Sequence, residues 1–156
     1  DALGRWIAAP GLDWSTLPTC GGAELAGRNL AGFRMVGVDS AGANLYGARL
    51  IGSQLTATTL VSATLAAADL SLANLRGADL REANLRGANL ASADLTSADL
   101  RGAALSGATL TNTDLPDADL TRANLAAAHL EGAILTGVHF DGSTRWPHGF
   151  SPRQTD

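Results

Sequence analysis

The chain has 156 residues and a mass of 15.9 kDa, which fits one domain around a single core and excludes a large multidomain enzyme. It is 46% hydrophobic but only 4% aromatic, and its 15 acids outweigh 11 basic residues, all arginine, for a formal net charge of -4. That balance gives direct nucleic-acid binding no footing, the lone Cys20 forms no internal disulfide, and no apolar run approaches the roughly 18 residues of a membrane span.

Residues 1 to 22 read as an N-terminal cap. Leu3, Trp6 and Ile7 have the i, i+3, i+4 spacing of a short amphipathic helix ending at Pro10-Gly11, and LDWSTLP (12 to 18) extends that lid. No charged start leads into an apolar stretch, so no signal peptide is read and the cytoplasm is the expected compartment. The chain starts at Asp1, which leaves an upstream targeting segment open.

A period of five governs the next 118 residues. Of the 24 positions spaced by five from Leu25 to Phe140, 21 are leucine, and Met35, Phe140 and Ser40 fill the others. Two residues before each centre, alanine occupies 17 of the 24 places, and the residue between is Asp or Asn 13 times. A helix turns about 100° per residue, so leucines five apart spread around every face. In a strand the small residue and the leucine point one way and the Asp or Asn the other. Because five is odd, each unit needs a turn to restore the inward direction. Thirteen of the 18 glycines, the last being Gly142, sit two residues after a centre, where a bend calls for positive φ. Short inward-facing strands joined by regular corners build a solenoid.

The A-[D/N]-L-x-x signature, plain in RGADL, REANL and RGANL (76 to 90) and unbroken from Ala43 to Phe140, resembles that of the bacterial pentapeptide-repeat proteins. The resemblance implies an all-β fold, a right-handed quadrilateral parallel β-helix with four units, hence 20 residues, per coil. Twenty-four units then make about six coils, a rod about 29 Å long. The β-helix is assigned to 23 to 140. Units between Ala23 and Ser40 depart from the signature: Arg28 stands where a small inward residue belongs, and burying it unpaired is too costly. Either that coil is distorted so that Arg28 escapes, or pairing starts later, and regular stacking is expected from about Ala43. An open solenoid exposes apolar cross-section at both ends. In the tail, 141 to 156, STRWPHGF (143 to 150) resembles the closing segment of many members and reads as a C-terminal plug.

Chemistry-bearing residues do not converge. His129 and His139 fall half a coil apart on opposite outward faces, His148 lies in the plug and Cys20 at the far end, so no metal site and no cofactor is expected. No nucleophile elbow, phosphate loop or zinc-protease motif occurs, and no Ser or Thr has a His and a carboxylate within evident reach; the protein is read as no enzyme.

Carboxylates make the one pattern with functional content. Asp79, Asp99 and Asp119 recur at intervals of 20 and stack on one face in a four-sided coil, with Asp94, Asp114 and Asp117 on the adjacent one. Residues 69 to 119 hold eight acids and four arginines, so the net charge sits mid-rod. Family resemblance offers a role for such a stripe, since some pentapeptide-repeat proteins imitate duplex DNA and bind DNA gyrase, inhibiting it or protecting it from quinolones. Against that role, DNA carries one charge per about 1.7 Å, so a rod of about 29 Å calls for about 17 negative charges. Arg81 and Arg101, two residues after Asp79 and Asp99 on the same side, are placed to neutralise them. The leading expectation is therefore a rigid, non-catalytic scaffold that presents flat sides to a protein partner, as a monomer or an end-to-end dimer, without membrane or direct nucleic-acid binding. A DNA mimic acting on a type II topoisomerase is the alternative. Tyr46 and Ile51, with Leu72 nearby, form a second candidate surface.

Overall fold

The computed structural model describes residues 19–152, so most of the 1 to 22 cap and the end of the tail lie outside the described residues. The backbone winds in coils of 20 residues. Parallel bridges join Glu24 to Asn44, Asn29 to Arg49, Arg34 to Gln54 and Asp39 to Thr59, and the same offset repeats as far as Asp119 and His139. Four bridged positions per coil give four sides. Side 1 is centred on Leu25, Leu45 and their successors, side 2 on the series from Leu30, side 3 on the series from Met35, and side 4 on the series from Ser40. Pairing begins at Glu24 rather than at Ala43. Arg28 stays in register, its carbonyl accepting the Arg49 N–H at 2.8 Å, while the residue is exposed at the lowest coil, so escape to solvent and not late pairing resolves its position.

Each corner is one turn built the same way. The N–H of the small inward residue donates to the preceding centre's carbonyl, as from Ala93 to Leu90 at 3.0 Å, and the residue before it is left-handed. A left-handed third residue with this closing bond is the pattern of a type II turn. All 24 corner residues from Gly22 to Gly137 have positive φ, and 11 of them, including Ala57, Leu72 and Asp117, are not glycine. Gly142 is not left-handed, contrary to its place in the glycine series. There the period slips: Asn124 pairs with Arg145, an offset of 21, so one residue is inserted after Phe140.

The repeat's Asp and Asn have a structural cause. Their Oδ1 atoms accept the N–H two residues on, as Asn89 does from Ala91 at 3.1 Å and Asp39 from Ala41 at 3.0 Å. This bond recurs at 12 of the 13 Asp or Asn spacers. It satisfies the one turn N–H that the ladder leaves free. Asp114 is the exception, because residue 116 is proline and has no N–H.

Leucines and alanines fill the interior, nearly all of them without solvent contact. The first coil inverts the rule on side 4, where Val38 takes the small place and Ser40 the large one, while Phe33 takes another small place. Larger neighbours thus occupy the volume that Ser40 leaves. Thr58 and Thr113 also stand at small positions, and their hydroxyls donate to the carbonyls of Met35 and Leu90 at 2.6 and 2.8 Å. Ser53 occupies the same kind of place with its hydroxyl unpartnered. Ser53→Ala therefore removes an orphaned polar group and restores the commonest residue, and it is expected to raise stability by about 1 kcal/mol. Thr113→Ala should lower it. Urea midpoints of the two variants check the opposite signs.

At the upper end, Trp146 meets Phe140 edge-on with ring centroids 5.4 Å apart, and Phe150 lies 5.4 Å beyond Trp146. The Thr144 hydroxyl donates to the Leu120 carbonyl at 2.9 Å.

Candidate functional site

Side 4 carries a ladder of alternating charge. Arg81 grips Asp79 with two bonds, Nε to Oδ1 at 2.8 Å and Nη2 to Oδ2 at 2.7 Å, and Arg101 repeats the grip on Asp99 at 2.8 and 2.5 Å. Each arginine also reaches the acid of the next coil, Asp99 at 3.7 Å and Asp119 at 3.8 Å. Both follow from register, because residues two apart share a side and residues 20 apart stack. The Arg81 hydrogen bonds hold the Asp79 carboxyl below the usual carboxylate range, and those of Arg101 do the same for Asp99.

These depressed values have a signed consequence. Carboxylates bound more weakly to protons in the folded chain add stability above their ordinary pKa near 4, and lose it as the pH falls through the lowered folded values. The melting temperature is expected to decline below about pH 4. In an Arg81→Ala, Arg101→Ala variant that acid decline becomes shallower, with only a small loss at neutral pH, because the guanidiniums are nearly half exposed. Melting curves from pH 2 to 7 read the difference.

Side 3 is arranged differently. Burial pushes the Asp94 carboxyl up, but hydrogen bonds from Thr96 and Arg76 outweigh it and hold the group below its ordinary range. The Arg76 Nη1 reaches it from the coil below at 3.2 Å. Asp114 stacks on Asp94 without a turn N–H to bind, and exposed Asp117 leans over Gly137 at the corner between sides 3 and 4. The six acids thus lie together across two sides and one corner, with Asp79, Asp99, Asp119 and Asp94 facing arginines and Asp114 and Asp117 in no ion pair among the described residues.

Two ion pairs escape a reading of side alternation. Arg76 and Asp94 are 18 apart, and Glu82 reaches Arg122, 40 residues on, at 3.6 Å. The latter crosses Gly102, where a Cβ would strike the Glu82 carboxylate, so glycine opens the path between coils. A recess of about 250 Å³ lies here, lined by Val61, Arg81, Glu82, Arg101 and Arg122. It holds no nucleophile or neutral base. A second recess, about 320 Å³, lies at the upper end between Leu130 and Phe150.

The remaining candidates stand apart. His129 stacks on Thr109 and His139 on Asp119, on opposite sides. Among the described residues no three His, Cys, Asp or Glu side chains are placed to hold a metal ion, and no helix is long and apolar enough to cross a membrane. Tyr46 and Leu72 are 57% and 64% exposed, but Tyr46 lies on side 1, Ile51 on side 2 and Leu72 at the following corner, so the three do not share one flat surface.

No curated protein sequence matches the chain. Among solved structures, Rfr23 from the cyanobacterium Cyanothece 51142, a pentapeptide repeat protein, is 31% identical over 85% of this chain and 94% of its own, with a TM-score of 0.48. HetL from Nostoc sp. strain PCC 7120, a pentapeptide repeat protein involved in heterocyst differentiation regulation, is 31% identical over 76% and 70%, at 0.34. QnrB1, a plasmid-mediated fluoroquinolone resistance protein, is 19% identical over 80% and 90%, at 0.31. The family model for pentapeptide repeats, in eight copies, matches residues 23–60, 68–107 and 103–142. With its five-residue units wound four to a coil, the chain belongs to the pentapeptide-repeat family, whose fold is the right-handed quadrilateral β-helix.

Proposed function

We propose that the protein is a rigid, non-catalytic interaction module that offers its sides to a protein partner. The observation that supports it is the division of labour in each unit: inward positions build the core, spacers lock the turns, and the outward side chains that remain differ from side to side. Side 3 and its corner, with Asp94, Asp114 and Asp117, form the candidate contact, because the last two keep their charge uncompensated among the described residues. In this reading the described part of the tail, residues 141–152, plugs the upper end, as the Phe140, Trp146 and Phe150 rings suggest, while most of the expected 1–22 cap lies outside the described residues.

The DNA-mimic reading needs charge that a cationic site can feel. The arginine grips on Asp79 and Asp99 reduce it, which favours the scaffold. A gyrase supercoiling titration, with and without a fluoroquinolone, separates the two. The scaffold reading expects no effect at large excess, together with capture of a protein that Asp94→Asn, Asp114→Asn, Asp117→Asn releases. Inhibition or drug protection at stoichiometric protein overturns it, and an Asp79→Asn, Asp99→Asn, Asp119→Asn variant must then lose that effect.

A further inference from the structure

On an otherwise acidic rod, three arginines converge on one recess. Arg81 and Arg101 stand 20 residues apart in one column, with Val61 a coil below them, and Glu82, Gly102 and Arg122 form the neighbouring corner column between sides 4 and 1. All of these except Gly102 line the space of about 250 Å³. The grips on Asp79 and Asp99 engage only Nε and Nη2 of Arg81 and Arg101, so each Nη1 is fixed in direction and has no hydrogen-bond partner among the described residues. Arg122 is steadied at its backbone, where the N–H donates to the Asp141 Oδ1 at 3.2 Å. Its guanidinium also donates no hydrogen bond among the described residues. Donors outnumber acceptors in this recess.

One acceptor enters it from the chain itself. The Glu82 carboxylate lies across Gly102, which has no Cβ to block it, and comes within 3.6 Å of the Arg122 Nη2 without a hydrogen bond to any described residue. The Glu82 and Arg122 side chains are 57% and 61% exposed, so their attraction is weak in water. A carboxylate of the chain thus occupies the place that an incoming one would take.

We propose that this recess binds a carboxylate, that of a Glu or Asp side chain on a protein partner, and that Glu82 holds the place until it is displaced. The incoming oxygens accept from the Arg122 fork and from the Arg101 Nη1, in charge-assisted bonds of the strong kind. Val61 borders the recess with apolar surface for the stem that carries the carboxylate. The surroundings select a single charge. Asp79, Asp99 and Asp119 stack in the adjacent column of side 4 and Asp141 stands above, so a doubly charged phosphate meets added repulsion without an added donor. The source of the carboxylate rests on the reading of the protein as an interaction module, whereas the site does not. It places a contact across side 4 from the Asp117 corner.

The test is a titration of the isotopically labelled full chain at low salt, read by magnetic resonance from the arginine guanidinium and Gly102 N–H signals. The probes are the capped peptides acetyl-Ala-Glu-Ala-amide and acetyl-Ala-Gln-Ala-amide, and inorganic phosphate. The Glu peptide is expected to shift the Arg101, Arg122 and Gly102 signals saturably, the Gln peptide to leave them in place, and phosphate to bind more weakly. Glu82→Gln removes the resident competitor and should tighten Glu-peptide binding about two- to fivefold, while Arg122→Gln should weaken it at least as much. Both side chains are mostly exposed, so the two variants keep the fold. Equal shifts from the Glu and Gln peptides, tighter binding of phosphate, or affinity unchanged in either variant overturns the proposal. A chain that binds the Glu peptide here but captures no protein keeps the site and overturns its assigned source.

Discussion

Leu90→Ala is expected to cost about 3 kcal/mol and Leu130→Ala clearly less, although both remove the same side chain. Leu90 is fully buried between coils above and below, and its neighbours cannot move in to fill the space. Its own N–H donates to Thr109 at 2.8 Å, and the Ala88 and Ala93 amides on either side are bound within the turns. With the backbone held on both flanks, the cavity persists, which places the cost in the middle or upper part of the range for such truncations, about 2 to 5 kcal/mol. Leu130 belongs to the last coil and touches the recess beside Phe150, so it has less burial to lose and freer neighbours. Chemical denaturation of both variants decides the matter. Equal costs would mean that the coils do not confine their cores as the ladder implies.

The repeat made this architecture legible because every inward position is chosen by the same packing problem. Leucine every five residues rules out a helical stripe, and the corner glycines mark where the chain must bend. The number of units per coil came from the family resemblance and not from the repeat itself; with four units to a coil, the stacking of Asp79 on Thr59 and Asp99 on Asp79 is as the interval of 20 requires. Arg81 and Arg101 were readable in the same way, since residues two apart on a strand share a side.

Other features were illegible for physical reasons. Eleven corners hold residues other than glycine in the left-handed region, and no local signal in Ala57 or Leu72 predicts it. The ladder imposes that conformation and absorbs a strain of about 1 kcal/mol per site. The start of pairing was misplaced because Arg28 reads as a burial violation, a rule that an end coil relaxes. Among the acids, periodicity shows where each stands but not what it binds. Arg76 with Asp94 and Glu82 with Arg122 depend on how long side chains cross between coils. Asp114 differs from the other spacers for a reason two residues away, in the ring of Pro116.

That proline leads to the sharpest expected contrast within one unit. Ser106→Pro is expected to change stability by less than about 1 kcal/mol, whereas Ala104→Pro costs about 3 kcal/mol or more. Ala104 is a ladder residue: its N–H donates to the Ala83 carbonyl at 2.9 Å. A ring there deletes the bond, pushes against that carbonyl and separates two coils. Ser106 is the second residue of the turn that Leu105 opens, the place Pro116 holds in the turn after Leu115. The ladder uses only the Ser106 carbonyl, which accepts from Gly87 at 3.1 Å and survives in proline. The residue before it is Leu105, which stands where Leu115 stands before Pro116, so the restriction a proline places on its predecessor is already met at the equivalent position. Fixing φ in advance also lowers the entropy of the unfolded chain, which offsets small misfits. Thermal melts of the two variants test the contrast. A large loss from Ser106→Pro would show that second turn positions are not equivalent around the rod, and tolerance of Ala104→Pro would show that a single ladder bond contributes little to holding the coils together.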